Sequence, residues 1–234
     1  TLRLVRATKN RFGPADEIGC FEIGDGGVVV DGPVSTDSRE LAPGGLFVAK
    51  PGAETDGHRF VDAAVRAGAA AAIVEHPVDS DVPQIVVGDA VAALGALGAA
   101  VVARVREAGG LRVVAVTGSN GKTTTKNLLR EILSAEGPTV APRGSYNNEV
   151  GAPTTMLEIT AETRFLVLEM GASGVGAIRT LTDLVRPDIG VVLTVGLAHA
   201  GEFGGIDRTE LAKGEMVESL AADGTAVLNA DDPR

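Results

Sequence analysis

The chain has 234 residues, a net charge of −10 and one cysteine, Cys20. That length suffices for one large domain or two modest ones, the acidic balance argues against nucleic acid as a main partner, and a lone cysteine rules out an internal disulfide and points to a reducing compartment. No apolar stretch approaches the roughly 18 residues of a membrane span and no secretory signal is visible, so a soluble, cytoplasmic protein without a membrane partner is expected.

Past Gly27, the segment VVVDGPVSTDSRE predicts a short strand, a turn at Asp31-Gly32-Pro33 and a second strand ending at Ser35. GLFVAK (45–50) reads as a third strand. Residues 58–67 read as a helix and 70–75 as a strand, with Gly68 the stop between them. QIVVGD is a further strand, and AVAALGALGAAVVARVREAGG a helix closed by Gly109 and Gly110. Residues 27–110 thus make a small α/β unit, with a hinge expected at 107–112.

From Leu111 onward, strand and helix alternate strictly. RVVAVT is a strand, TTTKNLLREILSAEG a helix stopped by Gly137 and Pro138, RFLVLEM a strand and GAIRTLTDLVR a helix. DIGVVLTVG, RTELAKGEMVESL and GTAVLNA follow as strand, helix and strand. Strands that are apolar throughout imply burial on both faces, hence a parallel sheet with helices on each side and an α/β fold over 111–234. In such sheets functional residues gather in loops at the carboxyl ends of the strands.

The first of those loops is T-G-S-N-G-K-T-T, residues 117–124. It is a shortened form of the phosphate loop G-x-x-x-x-G-K-[ST], because the position of the first glycine holds Val116. The physics survives the shortening. Gly118 and Gly121 permit the turns, the amides from Ser119 and Asn120 to Thr123 and Thr124 can face an anion at a helix start, Lys122 can reach the β- and γ-phosphates, and the Thr123 hydroxyl can ligate Mg²⁺. A nucleoside triphosphate, ATP, is the expected ligand. The bland alternative is a glycine turn entering an amphipathic helix with Lys122 solvated.

Further motifs follow in order: Tyr146-Asn147-Asn148 with GAPTT, Glu169 in LEMGA, His199 in VGLAHAGEFG, Lys213 in AKGEM, and Asn229 in NADDP. Upstream stand STDSR, with Ser38 and Arg39, then GLFVA and DGH. Together with the loop these resemble the Mur ligases over about residues 27–234. The resemblance implies a UDP-sugar-binding α/β domain (27–110) followed by a P-loop ATPase domain (111–234), here incomplete. It further implies ATP-driven joining of a carboxylate to an amine through an acyl phosphate in peptidoglycan precursor synthesis. The NN-x-x-G-x-P stretch and LEMGA favour UDP-N-acetylmuramoyl-tripeptide and D-alanyl-D-alanine as substrates; a sibling adding another amino acid, or a non-catalytic nucleotide- or UDP-sugar-binding fragment, are the alternatives.

Residue by residue, the resemblance implies that Thr123 and Glu169 hold one Mg²⁺ and that His199 helps hold a second. It implies that Lys213, carbamylated in relatives, positions that second metal, and that Asn229 lines the adenine pocket. Asn147 and Asn148 would face the sugar and peptide, and Ser38 and Arg39 the uridine diphosphate. On the residues alone, Glu169 reads as a helix-start carboxylate or a solvated side chain, His199 as a loop histidine, Lys213 as a surface lysine, Asn147 and Asn148 as turn formers, Asn229 as a cap, and Asp37-Ser38-Arg39 as a capping turn. His58 and His76 read as structural.

Two departures stand out. Residues 2–22 resemble the KNRFG segment of RadA-type recombination ATPases, with Lys9 to Gly13 intact, and read as a fusion or an assembly error joined near residues 23–27, the alternative being a basic surface segment that matches by chance. No recombinase activity is expected, because the phosphate loop is of the Mur type. Relatives also continue beyond NADDP into a third domain that binds the amine and closes over ATP, so the chain by itself is expected to be a poor ligase or none.

Overall fold

The computed structural model describes residues 2–4, 28–30, 32–52, 55–196 and 205–234. The chain divides into two units, Thr1–Leu97 and Gly98–Arg234. Residues 5–27, which contain the KNRFG segment, lie outside the described residues.

In the first unit β1 (Leu2–Leu4) pairs antiparallel with β2 (Val28–Val30). A separate parallel sheet has the order β3-β4-β5-β6, formed by Val34–Ser35, Leu46–Val48, Ala71–Val74 and Gln84–Val86. Every residue of β4 and β5 is buried, as a strand covered on both faces requires. Phe47, Ala49, Ala72 and Val74 join Val61 and Ala64 of α1 (Val61–Arg66) in one core. Gly68, at φ +94°, ends the segment after α1 in the left-handed conformation that only glycine adopts freely, at the position expected for the stop. A 3₁₀ turn over Gly57–Phe60 precedes α1 and is capped by Asp56, whose carboxylate accepts the amide of His58. Buried His58 is structural: Nδ1 meets Asp56 at 2.6 Å and Nε2 accepts the Glu75 amide at 2.8 Å, fixing the turn to the end of β5.

Helix α2 (Ala90–Ala108) begins in the first unit, where the Asp89 carboxylate accepts the amides of Val91 and Ala92. It runs into the second unit and stops at Gly109 and Gly110, both at positive φ. The second unit is built on a five-stranded, wholly parallel sheet in the order β11-β10-β7-β9-β8. The strands are β7 (Arg112–Thr117), β8 (Thr139–Val140), β9 (Phe165–Glu169), β10 (Ile189–Val192) and β11 (Thr225–Leu228). Between them run α3 (Lys122–Ser134), α4 (Gly151–Met156), α5 (Ala177–Val185) and, before β11, a helix termed α6 (Ile206–Glu218).

Alternation along the strands divides the core in two. Val113, Ala115, Leu166 and Leu168 face Val102 and Val105 of α2, Met156 of α4, Ile178 and Leu181 of α5 and Met216 of α6. Val114, Val116 and Val191 face Leu129 and Leu133 of α3. Chain order reverses at β7: the path goes from β7 out to β8 and back through β9, then across to β10 and β11. The carboxyl end of β7 is therefore the switch point at which such sheets bind ligands. Among the described residues no helix is long and apolar enough to cross a membrane.

Two elements lie beyond the sequence expectation. Strand β8 is only two residues long, and α4 opens with Gly-Ala-Pro, which reads as a turn. The Asn148 carboxamide caps α4 by accepting the amides of Val150 and Gly151. The Ala152 amide donates to Asn148 O and the Thr154 amide to Val150 O, continuing the turn on either side of Pro153. The strand expected through Val195 and Gly196 ends at Val192, because the backbone beyond it turns to the phosphate loop instead of to a neighbouring strand: Thr194 O accepts the Ser119 amide at 2.8 Å.

Candidate nucleotide and metal site

The loop between β7 and α3 is held from three sides. Thr117 Oγ1 donates to Met170 O at 2.9 Å, tying β7 to the end of β9. Ser119 is buried; its hydroxyl donates to Gly196 O at 3.0 Å and accepts the Gly196 amide at 2.8 Å. The Val195 amide donates to Asp232 Oδ2 at 2.7 Å, which binds the NADDP turn to the same strand end. Gly118 has φ +151° and lies so close to β10 that a Cβ would stand 2.9 Å from Leu193 Cβ. Gly121 is the N-cap of α3 at φ +83° and has no side chain to satisfy the first amides of the helix. Those amides, with the positive end of the helix dipole, are available to an anion.

The side chains of α3's first turn point into this region. Lys122 Nζ donates to Gly118 O at 2.8 Å, keeping its charge over the loop. Thr123 Oγ1 donates to Glu169 Oε2 at 2.8 Å and lies 3.4 Å from Ser145 Oγ. The other carboxylate oxygen, Glu169 Oε1, accepts from Asn147 Nδ2 at 2.8 Å. Glu169 is 1% exposed at the end of β9, so the solvated-side-chain reading does not hold. Hydroxyl, carboxylate and hydroxyl are the oxygen donors that a hard divalent cation takes, and Mg²⁺ fits this set.

Beside the loop lies a cavity of about 620 Å³, lined by Gly118, Ser119, Lys122, Asn147, Asn148 and Lys213 among others. Lys213 projects from α6 and is 5% exposed, so the surface-lysine reading fails. Burial first, and repulsion from Lys122 second, lower its pKa to about 8. The residue two places on, buried Glu215, caps the neighbouring helix: it accepts the amides of Gly176 and, at 2.9 Å, Arg179 at the start of α5.

Asn120 and Thr124 belong to the loop and first turn and are exposed. Asn148 lines the cavity while its carboxamide caps α4. Asn229 is exposed after β11; its side chain accepts the Asp231 amide at 3.1 Å, and it does not line the cavity. Ser38 and Arg39 belong to the first unit, in the turn after β3, where Arg39 is exposed and pairs with Asp37 at 2.6 Å. That pair holds the Asp37 carboxyl down to about 2, chiefly through the Arg39 side-chain hydrogen bond. His199 lies outside the described residues.

Sequence reasoning passed over Lys126, Ser145, Glu215 and Asp232 as individual residues. Lys126 carries a readable signal, since with Leu129 and Leu133 it occupies the inward 3-and-4 spacing of α3, a position where a lysine is unexpected.

A phosphate loop at the switch point of a parallel sheet, beside a buried carboxylate and two lysines, defines the class of P-loop nucleotide-binding α/β proteins. Within that class the family model described as Mur ligase middle domain matches residues 116–234, and that described as Mur ligase family, catalytic domain, matches residues 33–109. The chain belongs to the Mur ligase family.

It is 45% identical over 224 residues to the UDP-N-acetylmuramoyl-tripeptide–D-alanyl-D-alanine ligase of Mycobacterium tuberculosis, covering 87% of this chain and 44% of that protein. The Escherichia coli enzyme of the same name is 42% identical over 198 residues, covering 85% and 43%. Among solved structures, MurF from Acinetobacter baumannii matches with a TM-score of 0.80 at 39% identity, covering 91% of this chain and 46% of that one. MurF ligase from Thermotoga maritima in complex with ADP matches at 0.77 and 36%, covering 88% and 47%. The chain thus spans a little under half the length of the relatives it matches.

Proposed function

We propose that the chain carries the ATP and UDP-sugar portions of a UDP-N-acetylmuramoyl-tripeptide–D-alanyl-D-alanine ligase acting in the cytoplasm. In this reading residues 27–110 form the UDP-muramoyl domain and residues 111–234 the ATPase domain. The observation that carries it is the Thr123–Glu169–Asn147 arrangement beside the Lys122 loop, in a chain 45% identical to a ligase of that name. The loop amides and Lys122 bind the β- and γ-phosphates, Thr123 and Glu169 hold Mg²⁺, and the cavity by Asn147, Asn148 and Lys213 receives the carboxylate end of the tripeptide. The bound cation shields charge between the triphosphate and the incoming carboxylate. Lys122 adds positive charge on the cavity side, so two anions can approach. In the full reaction the carboxylate takes the γ-phosphoryl group as an acyl phosphate, and the amine of D-alanyl-D-alanine then displaces phosphate. His199 and a carbamylated Lys213 are assigned to a second cation, Asn229 to the adenine, and Ser38 and Arg39 to the uridine diphosphate.

Because the chain spans under half of those relatives, binding is tested before turnover. Calorimetric titration with Mg-ATP is expected to give saturable binding that Lys122→Ala abolishes. UDP-muramoyl tripeptide and D-alanyl-D-alanine are then added and ADP release measured. Absence of Mg-ATP binding by the folded chain would overturn the proposal.

A further inference from the structure

Lys126 is 1% exposed, one of the largest fully buried side chains in the protein. Its ammonium donates to Pro142 O at 2.7 Å and to Gly144 O at 3.0 Å. Burying a lysine is costly, and burial does lower its pKa, with attraction to Glu169 acting in the opposite direction. A leucine or methionine would fill the inward position of α3 at less cost. Leucine and methionine have no donor for the two carbonyls that the 142–144 backbone turns inward, whereas the lysine ammonium has three.

Those carbonyls belong to the segment that serves the Glu169 site. Gly144 turns the backbone at φ +61°. One residue on, Ser145 Oγ stands 3.4 Å from Thr123 Oγ1. Two further on, Asn147 donates to Glu169 Oε1 at 2.8 Å, and its carbonyl accepts the Gly171 amide at 2.8 Å. Thr123 and Lys126 are three apart on α3 and share a face. One helical turn therefore holds both the carboxylate and the segment that orients it.

We infer that Lys126 is a positioning residue of the nucleotide–metal site, anchoring the 142–144 backbone so that Asn147 fixes the Glu169 carboxylate for the cation. This inference rests on the ATP and Mg²⁺ reading above. It touches neither phosphate nor cation itself, and its effect passes through Asn147.

The test is Mg-ATP calorimetry on the wild-type chain and on Lys126→Met across a Mg²⁺ series, with ATP in EDTA as the metal-free arm and thermal unfolding in parallel. The expected result is a Mg²⁺ requirement about 10- to 100-fold higher in Lys126→Met, the usual effect of losing a group that orients a metal ligand, with metal-free ATP binding little changed. A lowered melting temperature with an unmoved Mg²⁺ midpoint would mean that Lys126 only supports the fold, and would overturn the inference alone. Should Lys126→Met not fold, Asn147→Ala carries the same test, and a wild-type Mg²⁺ midpoint in that variant overturns it equally. Failure of the wild-type chain to bind Mg-ATP would overturn the nucleotide reading and this inference together.

Discussion

Thr123 and Glu169, 46 residues apart in sequence, meet at 2.8 Å through Oγ1 and Oε2, joining the first turn of α3 to the end of β9. The contact exists because β7 and β9 are neighbours in register, with Val116 opposite Glu169, so the loop leaving β7 starts beside the carboxylate. Glu169→Gln keeps the shape while removing the charge and one of the two acceptor oxygens; the remaining oxygen can accept from Asn147, and the new amide can donate to the Thr123 hydroxyl. Under the proposed function its Mg-ATP affinity falls by about tenfold or more, and its metal-free ATP affinity holds or improves. Calorimetry with and without EDTA reads both; equal losses in the two arms would remove Glu169 from the cation site.

Gly118 and Gly214 should respond in opposite directions to the same substitution. Gly118→Ala forces a side chain into φ +151° and sets a Cβ 2.9 Å from that of Leu193. A loss of about 1–3 kcal/mol is expected, together with Mg-ATP binding. Gly214 lies inside α6, with nothing within 4 Å of an added Cβ. Gly214→Ala should stabilise by about 0.4–1 kcal/mol by restricting the unfolded chain. Urea unfolding of both variants checks the pair, and destabilisation by Gly214→Ala would contradict the open space seen there.

The elements with a strong period were readable. RVVAVT became β7 because the four apolar residues Val113–Val116 between Arg112 and the loop suit a strand covered on both faces. The glycines at 68, 109 and 110 marked stops that the backbone confirms at positive φ. Helix α4 was not readable: its formation depends on Asn148 reaching back to cap a Gly-Ala-Pro start, and the local residues favour a turn. Among site residues, the loop glycines, Lys122 and Thr123 follow from a contiguous motif. The partnership of Asn147 with Glu169, or of Lys126 with Pro142 and Gly144, joins segments 16 to 22 residues apart. Which segments meet is decided by strand order in the sheet, and one-dimensional spacing carries little of that. The Lys126 signal, a cation in an apolar stripe, was passed over, and it carries no information on which backbone the ammonium serves.

Glu215 links the helix carrying Lys213 to the start of α5. Its carboxylate accepts the amides of Gly176 and Arg179, serving as the cap that Gly176, at φ +96°, has no side chain to provide. Glu215→Ala leaves both amides without that acceptor and should cost about 1–3 kcal/mol. Glu215→Gln, which retains one acceptor oxygen, should cost less. Urea denaturation ranks the three proteins, and equal stabilities would show that water replaces the cap without loss.

Lys213 gives the chain a pH dependence whose sign can be worked out. Burial foremost, then Lys122, brings its pKa to about 8 from an ordinary 10.5. Below about 8 the ammonium is charged in both folded and unfolded states, and the folded state bears the cost of burying it. Between about 8 and 10.5 the unfolded chain binds more protons than the folded one, so stability rises with pH across that window from this group. Lys213→Met removes the titration and should show no such rise of its own. The stability difference between wild type and variant, measured by urea unfolding from pH 7 to 10, should therefore shift toward the wild type as pH increases. The same lowered pKa raises the small neutral fraction of the amine near neutral pH, and the neutral amine is the form that takes up carbon dioxide as a carbamate. Isotope-labelled bicarbonate should accordingly produce a carbamate resonance in the wild type that Lys213→Met lacks. A stability difference flat from pH 7 to 10 would mean that the buried lysine's charge is fully compensated within the fold.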